Sequence, residues 1–322
     1  MVTSDTELRS VEPGEAPATQ LELVDEHAAY GYRVRNLADA TVNELRLYVN
    51  RFLEAQPSSL SPTELFASLS PKGIQRFVFE YPDSYGPDSR RWMQRALRSF
   101  LKFCHSRGYV SHDLSIAVPG CCSRRLSSVP RGIDDETVRL LLESTDDGSS
   151  TGVRDRAVIQ LIATYGVRGI QARQLRLDDI DWRADLVRFS AVKGGMAVVQ
   201  HLTPKVGNSL LAYIQEARPN TAPYSEVFLT SRPPFRPFRS SSGFSSIISR
   251  RLRQIGVELP EGVSRGTHSF RHSFASRMVG KVPLKHIADM LGHRDLSSAY
   301  IYTKVDFEAL SQAALPWPVE VV

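Results

Sequence analysis

The feature that most constrains the fold of this chain is a break in its helical periodicity at residues 118–132. The stretch reads VPGCCSRRLSSVPRG, in which two Pro, two Gly and three Ser interrupt regular structure. The chain has 322 residues, which is more than one hydrophobic core usually organises. We therefore predict two domains joined by a linker at residues 121–132.

The first half of the chain is predicted to form a helical domain over residues 21–120. Capping boxes, in which a hydroxyl residue is followed three positions later by Glu, occur at Thr41–Glu44 and Ser61–Glu64. Residues 1–20 are acidic and contain Pro, Gly, Ser and Thr, which is typical of a flexible tail.

A helix predicted to begin near Asp88 and to stop at Gly108 carries a basic stripe beside an aromatic face. The stripe consists of Arg91, Arg95, Arg98 and Lys102, which share one helical face. Such a face suits a helix lying along a phosphate backbone, so these four residues are candidate DNA contacts. The spacing fits an ordinary solvated surface equally well.

The second half, residues 133–322, is predicted to be helical with one β-hairpin. Residues 186–191 and 197–202 alternate apolar and polar side chains like two strands. The turn between them contains Lys193-Gly194-Gly195. The predicted fold class is mainly α with a small antiparallel β-sheet.

The composition favours an intracellular protein with a polyanionic partner. The net charge of the whole chain is +5, but residues 1–30 have a net charge of −6, so residues 31–322 have a net charge of +11. Of the 40 basic residues, 33 are Arg, whose planar guanidinium matches phosphate oxygens. No apolar stretch is long enough for a membrane span, and no secretory signal is evident. Three cysteines, two of them adjacent, do not form a disulfide framework. We expect a reducing cytoplasm.

Polar residues in the second half are concentrated in four segments where a core does not need them. These are Tyr165-Gly-Val-Arg168, the turn around Lys193, the segment Thr267-His268-Ser-Phe-Arg271-His272, and Leu291-Gly-His293 with Tyr302 nine residues later. Two guanidinium groups and two imidazoles can stabilise the negative charge of a phosphoryl transition state without a metal. A nearby tyrosine can act as the nucleophile, and a Lys can protonate the leaving oxygen.

The order of these segments resembles the tyrosine recombinase (phage integrase) family, which includes the Xer and Cre recombinases. The most specific stretch is THSFRHSFASRMVG…IADMLGHRDLSSAYIYTKVD at residues 267–306, and RDRAVIQLIATYGVRGIQARQLRLDDIDW at 154–182 matches the family's arginine segment. Recognisable similarity covers about residues 130–310. The N-terminal half is similar to the family's helical core-binding domain in architecture only.

The resemblance implies a site and a mechanism. The implied catalytic residues are Arg168, Lys193, His268, Arg271, His293 and, as nucleophile, Tyr302. The implied reaction is site-specific DNA cleavage and rejoining through a 3′-phosphotyrosyl link, which leaves a free 5′-OH and requires no cofactor and no metal. The implied partners are double-stranded DNA and three further subunits, in a homo-tetramer or a hetero-tetramer with a related recombinase. The expected location is the nucleoid in the cytoplasm.

Two positions differ from the family pattern or compete with it. The family usually has Glu three residues after its first Arg, whereas Gln171 stands there in this chain. We expect this change to alter a contact around Arg168 and to leave the chemical step intact. Tyr300 lies two residues before Tyr302, about 200° away on a helix, so only one of them can face the phosphate.

Several alternatives remain open at this stage. His268 and His272 could ligate a metal, although a third ligand is not evident. Residues 282–297 resemble a helix-turn-helix, as a non-catalytic DNA-binding regulator would have. A type IB topoisomerase shares the cut-and-rejoin chemistry but acts as a monomer. Apolar residues after Tyr302 could form a C-terminal tail that docks on a neighbouring subunit.

Overall fold

A computed structural model describes residues 17–57, 59–80, 86–120, 129–192, 194–220 and 222–305. The chain divides into two compact units, Met1–Arg124 and Arg125–Val322. Most of the predicted acidic tail, most of the predicted linker, Lys193 and the predicted C-terminal tail lie outside the described residues.

The first unit is helical throughout its described residues. Its helices are α1 (Gln20–Arg33), α2 (Asp39–Glu54), α3 (Pro62–Ser68), α4 (Pro71–Glu80) and α5 (Pro87–Ser106), followed by a 3₁₀ turn at Leu114–Ala117. The longest helix, α5, packs its apolar face on α1 and α2, and Phe100 is fully buried at its centre. Its opposite face carries the predicted basic stripe.

One of the two predicted capping boxes is confirmed and the other is wrong. Ser61 caps α3 through the backbone N–H of Glu64, and the Glu64 carboxylate accepts from the Ser61 backbone N–H at 2.8 Å. The Thr41 box does not form, because α2 begins two residues earlier at Asp39, after Ala38. The Asp39 carboxylate in the first turn favours that start through the helix dipole.

The second unit is built around α7 (Ser150–Tyr165). The other helices are α6 (Asp135–Glu143), α8 (Gly169–Arg173), α9 (Pro204–Ala212), α10 (Ser242–Gln254), α11 (Thr267–Met278) and α12 (Leu284–Met290); a π turn at Tyr213–Ala217 extends α9, and 3₁₀ turns occur at Leu177–Asp179, Leu296–Ser298 and Tyr300–Val305. Helix α7 is buried on most of its circumference, including the charged Asp155, which accepts hydrogen bonds from Arg154 and Arg251. These contacts compensate the burial of its charge.

A small antiparallel sheet lies beside these helices. Its strands are β1 (Ile180–Asp181), β2 (Leu186–Phe189) and β3 (Val198–His201), in the order β1-β2-β3. Val187 pairs with Ile180 on one side and with Gln200 on the other. The predicted fold class is confirmed, although the hairpin strands are shorter than predicted. The two-residue β1 was missed because it is too short to show alternation.

In the parts of the chain that the structure describes, no helix has both the length and the apolar character needed to cross a membrane.

Candidate active site

Arg168 reaches the site because α7 ends abruptly before it. Gly166 terminates the helix in the left-handed conformation, with φ of 59°, and a Cβ at this position would lie 2.8 Å from the Cβ of Phe274. The chain therefore turns sharply and places Arg168 directly before α8. Its Nη1 is buried and has no hydrogen-bond partner among the described residues. Burial lowers the pKa of Arg168. An unpaired buried guanidinium N–H is suited to receiving an anion.

Arg271 lies on α11 and is 3% exposed. Its guanidinium donates to the carbonyl oxygens of Gly166, at 3.0 Å, and of Leu291, at 2.8 Å. These contacts tie the end of α7 to the end of α12. Burial, and to a lesser degree the charge of Arg168, lowers the pKa of Arg271 to about 10. Two guanidinium groups close enough to repel each other favour an anion between them.

Tyr302 is buried beside these two arginines. The side chain of Tyr302 is 3% exposed, whereas that of Tyr300 is 48% exposed. Burial raises the pKa of Tyr302, and the charge and hydrogen bonding of Arg271, followed by the charge of Arg168, act in the opposite direction. The His272 ring lies 5.7 Å from the Tyr302 ring, measured between centroids. Only Tyr302 of the two tyrosines therefore lies among the cationic groups.

The two predicted site histidines have different surroundings. His293 is buried, and its backbone N–H donates to the carbonyl of Ala288 at 2.8 Å. Burial lowers the pKa of His293 to about 4, with further contributions from Arg271 and Arg168. Its Nδ1 has no partner within the described part of the chain. The imidazole is therefore neutral at pH 7.

His268 is exposed on α11, at the edge of a cavity of about 530 Å³. His272 lines the same cavity one helical turn later, with Arg131 and Ile301. No group of three or more His, Cys, Asp or Glu side chains arranged to hold a metal occurs in the described ranges. His268 and His272 therefore gain no third ligand from these residues.

Lys193 itself lies outside the described residues, but its neighbours contact the site. The Met196 N–H donates to the Gly292 carbonyl at 3.3 Å. A Cβ on Gly195 would lie 2.7 Å from that carbonyl oxygen and 3.3 Å from Nη1 of Arg168. The turn between β2 and β3 is therefore packed between Arg168 and the Leu291-Gly292-His293 segment.

The four residues of the basic stripe of α5 differ in their contacts. Arg91 forms an ion pair with Asp88. Arg98 is half-buried and donates to the carbonyl of Val118 at 3.0 Å. Its guanidinium thereby holds the chain that follows the 3₁₀ turn at Leu114–Ala117.

The other two stripe residues, Arg95 and Lys102, line a cavity of about 320 Å³, to which Arg98 also contributes. The Arg95 guanidinium lies 5.0 Å from the centroid of the Trp92 ring. Arg35 also lines this cavity and donates to the Ser99 hydroxyl at 2.8 Å. Sequence reasoning missed Arg35 because it follows α1 and shares no helical spacing with the stripe.

The site of the second unit combines the buried phenol of Tyr302, the buried guanidinium of Arg271, the half-buried Arg168 with its buried Nη1, and the neutral imidazole of His293. Such a group is suited to phosphoryl transfer to tyrosine, since the cations can stabilise charge that develops on phosphate oxygens.

The fold is that of solved integrases and Xer recombinases. A lambda integrase dimer bound to a COC′ core site matches with a TM-score of 0.69 at 14% identity, over 94% of this chain and 81% of that one. XerH bound to palindromic difH substrate matches with a TM-score of 0.66 at 18% identity, over 90% and 83%.

The chain belongs to the phage integrase family, whose sequence pattern matches residues 131–309. The protein y4rA of Sinorhizobium fredii, an integrase/recombinase by name, is 41% identical over 70% of this chain and 54% of its own length. The tyrosine recombinase XerD of Listeria innocua is 25% identical over 88% of this chain and 94% of its own length. The chain spans about half the length of y4rA and of the similarly named y4rF.

Proposed function

We propose that this protein is a site-specific DNA recombinase that cleaves and rejoins strands through a 3′-phosphotyrosyl intermediate. One observation carries the proposal: the phenol of Tyr302 is buried next to Arg271 and within the field of Arg168. A tyrosine in the apolar interior has no need of two guanidinium neighbours, one of which keeps a buried N–H unpaired. A phosphate between these groups would pair that N–H.

The reaction assigns a role to each family position. The Tyr302 oxygen bonds to phosphorus as the bond from phosphorus to the 5′ oxygen breaks. Arg168 and Arg271 bind the non-bridging oxygens and stabilise their developing charge. The phenol loses its proton to an imidazole of the site, His268 or His293, and Lys193 protonates the leaving 5′ oxygen. Attack by a 5′-OH of a partner strand reverses these steps and releases Tyr302.

The proposed substrate is double-stranded DNA, and the proposed assembly is a tetramer on DNA, made of this chain alone or with a related recombinase. The solved integrases and Xer recombinases that share the fold include a lambda integrase tetramer bound to a Holliday junction. A strand exchange needs cleaved ends from two duplexes in one assembly, which a monomer does not provide. The proposed location is the cytoplasmic nucleoid.

The first unit supplies a second set of candidate phosphate contacts. Arg95 and Lys102 lie on the cavity that Arg35 also lines, and no carboxylate lines that cavity. Arg91 and Arg98 are held by Asp88 and by the carbonyls after the 3₁₀ turn. We therefore assign the main backbone contacts of the stripe to Arg95 and Lys102, with Arg35 added.

Covalent capture in the native host tests the proposal without knowledge of the target. The tagged protein, Tyr302→Phe and Tyr300→Phe are isolated under denaturing conditions, and attached DNA is sequenced. We expect adducts at a discrete site with wild type and with Tyr300→Phe, and none with Tyr302→Phe. Tyr300→Phe is the matched control because it removes an exposed phenol two residues away.

The other outcomes identify the alternatives. Adducts scattered without sequence preference would indicate a type IB topoisomerase. DNA binding with no adduct from wild type would indicate a regulator that retains the fold without the chemistry. Adducts that persist in Tyr302→Phe would overturn the assignment of the nucleophile.

A further inference from the structure

A hairpin of the second unit, residues 229–239, presents three arginines at the protein surface. Leu229 pairs with Pro237 in an antiparallel bridge, and Thr230 closes the turn. The Thr230 N–H donates to the Arg236 carbonyl at 2.8 Å, and the Arg236 N–H donates to the Thr230 hydroxyl at 3.1 Å. We call this segment the arginine hairpin, after its residues Arg232, Arg236 and Arg239.

The base of the arginine hairpin is anchored in the core. Leu229 is fully buried, and its N–H donates to the hydroxyl of the buried Tyr213 at 3.1 Å. On the other side, the Phe238 ring packs on Phe244 with centroids 5.0 Å apart. The backbone that carries the three arginines is thus fixed from both ends, so little backbone entropy is lost when they bind a ligand.

The three arginines are exposed and form no ion pair with any residue in the described ranges. Residues 227–257 contain six Arg and no Asp or Glu, so the local charge is strongly positive. Arg250 and Arg251 in the same stretch differ, because both pair with the buried Asp155. The sixth, Arg253, is exposed on α10, and its Nε donates to the Ser249 carbonyl at 3.3 Å. The three exposed arginines of the hairpin, held on a fixed backbone, offer a surface for an anionic partner.

The arginine hairpin adjoins the candidate active site. The Phe238 carbonyl accepts a hydrogen bond from Nη1 of Arg173 on α8, at 3.0 Å. Ser241, two residues after Arg239, packs so closely on Gly169 that a Cβ there would lie 2.9 Å from the Ser241 Cβ. Gly169 directly follows Arg168. The base of the arginine hairpin therefore lies close to Arg168, the residue that the proposed function places on the cut phosphate.

We infer that the arginine hairpin binds the phosphate backbone of duplex DNA beside the phosphate that is cut. The inference rests on the proposed function, since it takes DNA as the ligand of the neighbouring site. Guanidinium groups match phosphate oxygens in geometry and charge, and such contacts position the duplex without reading its sequence.

The test is the salt dependence of binding to a labelled duplex of arbitrary sequence, measured by anisotropy with the full chain. Each phosphate contact contributes about 0.9 to the slope of log K against log salt, so Arg232→Gln/Arg236→Gln/Arg239→Gln should make the slope shallower by about 2 to 3. The corresponding Lys variant retains the charge and should retain most of the slope. If the triple variant does not fold, the three single Gln variants replace it, and the slope of each should be shallower than that of wild type by about 1.

The matched control removes three arginines that do pair with carboxylates, the half-buried Arg46 and the exposed Arg76 and Arg139, in Arg46→Gln/Arg76→Gln/Arg139→Gln. It changes the net charge equally, and its slope should change by less than half as much. An equal change of slope in both triple Gln variants would show that the slope depends on net charge alone, and it would overturn the inference. An unchanged slope in the hairpin variant, with steep salt dependence in wild type, would overturn the inference alone. Salt-insensitive or absent binding by wild type would overturn the proposed function as well.

Discussion

The Gln171 side chain holds the backbone of Arg168: its Oε1 accepts a hydrogen bond from the Arg168 N–H at 3.1 Å. Its Nε2 donates to the Ser190 carbonyl at 3.2 Å, at the end of β2. Gln171 is 2% exposed. It therefore links the start of α8 to the turn that carries Lys193, and it uses the donor that a Glu carboxylate lacks.

Replacing Gln171 by Leu should destabilise the second unit. The change leaves the Arg168 N–H and the Ser190 carbonyl without their partner, at about 1–3 kcal/mol for each buried group. The melting temperature and the rate of single-turnover cleavage of the captured site should both be lower than in wild type. The matched control is Gln174→Leu, because Gln174 is exposed three residues later. Equal effects of the two changes would show that the Gln171 contacts contribute nothing specific.

Arg168→Ala and Arg271→Ala should differ in stability although each should slow cleavage by about 10²–10³-fold. Arg271→Ala removes the donors to Gly166 and Leu291, so its melting temperature should fall. Arg168→Ala removes a desolvated cation with an unpaired N–H, so its melting temperature should be unchanged or higher. Cleavage on the captured site and differential scanning calorimetry separate the two effects. Unchanged cleavage in either variant would refute its proposed role.

Lowering the pH should destabilise the second unit in part through His293. Burial lowers the pKa of His293 to about 4, from an ordinary value of 6.5. The unfolded chain therefore binds more protons than the folded chain between these values, and stability contributed by His293 is lost as the pH falls from 6.5 through 4. The free energy of unfolding of His293→Gln should fall less steeply over this range than that of wild type.

The control for His293 is His286→Gln, because His286 is exposed on α12. Urea unfolding at several pH values gives the required slopes. The quantity compared is the slope of the free energy of unfolding against pH. If this slope is unchanged in His293→Gln but flattened in His286→Gln, the result would contradict a buried neutral His293.

Gly292→Ala should destabilise the site more than a conformational penalty alone accounts for. Gly292 has φ of 64°, and a Cβ there would lie 2.8 Å from the Met196 carbonyl oxygen and 2.8 Å from a methyl group of Val198. Gly280 has φ of 75° with nothing within 4 Å of a Cβ. Left-handed strain of about 1–2 kcal/mol is common to both Ala variants, so a larger loss in Gly292→Ala measures the clash. Equal melting temperatures would contradict the close packing of the turn on Gly292.

Sequence patterns predicted local structure well where all the interacting groups lie within one turn of helix. The Ser61 box formed because hydroxyl, carboxylate and both N–H groups belong to four consecutive residues. The Thr41 box failed because Asp39 offered a competing start two residues earlier. The role of Arg98 could not be predicted, since its carbonyl partners follow twenty residues later in the chain.

The sequence by itself determined the helical class of the fold, the two-strand hairpin and the ordered set of residues that places the chain in its family. These follow from spacing, which a linear chain records directly. Only the tertiary structure decided that Tyr302 is buried while Tyr300 is exposed, that Arg271 joins Gly166 to Leu291, and that the arginine hairpin adjoins Arg168. Those relations join residues that are more than a hundred positions apart in some cases, such as Arg271 and Gly166, and packing around α7 brings them together.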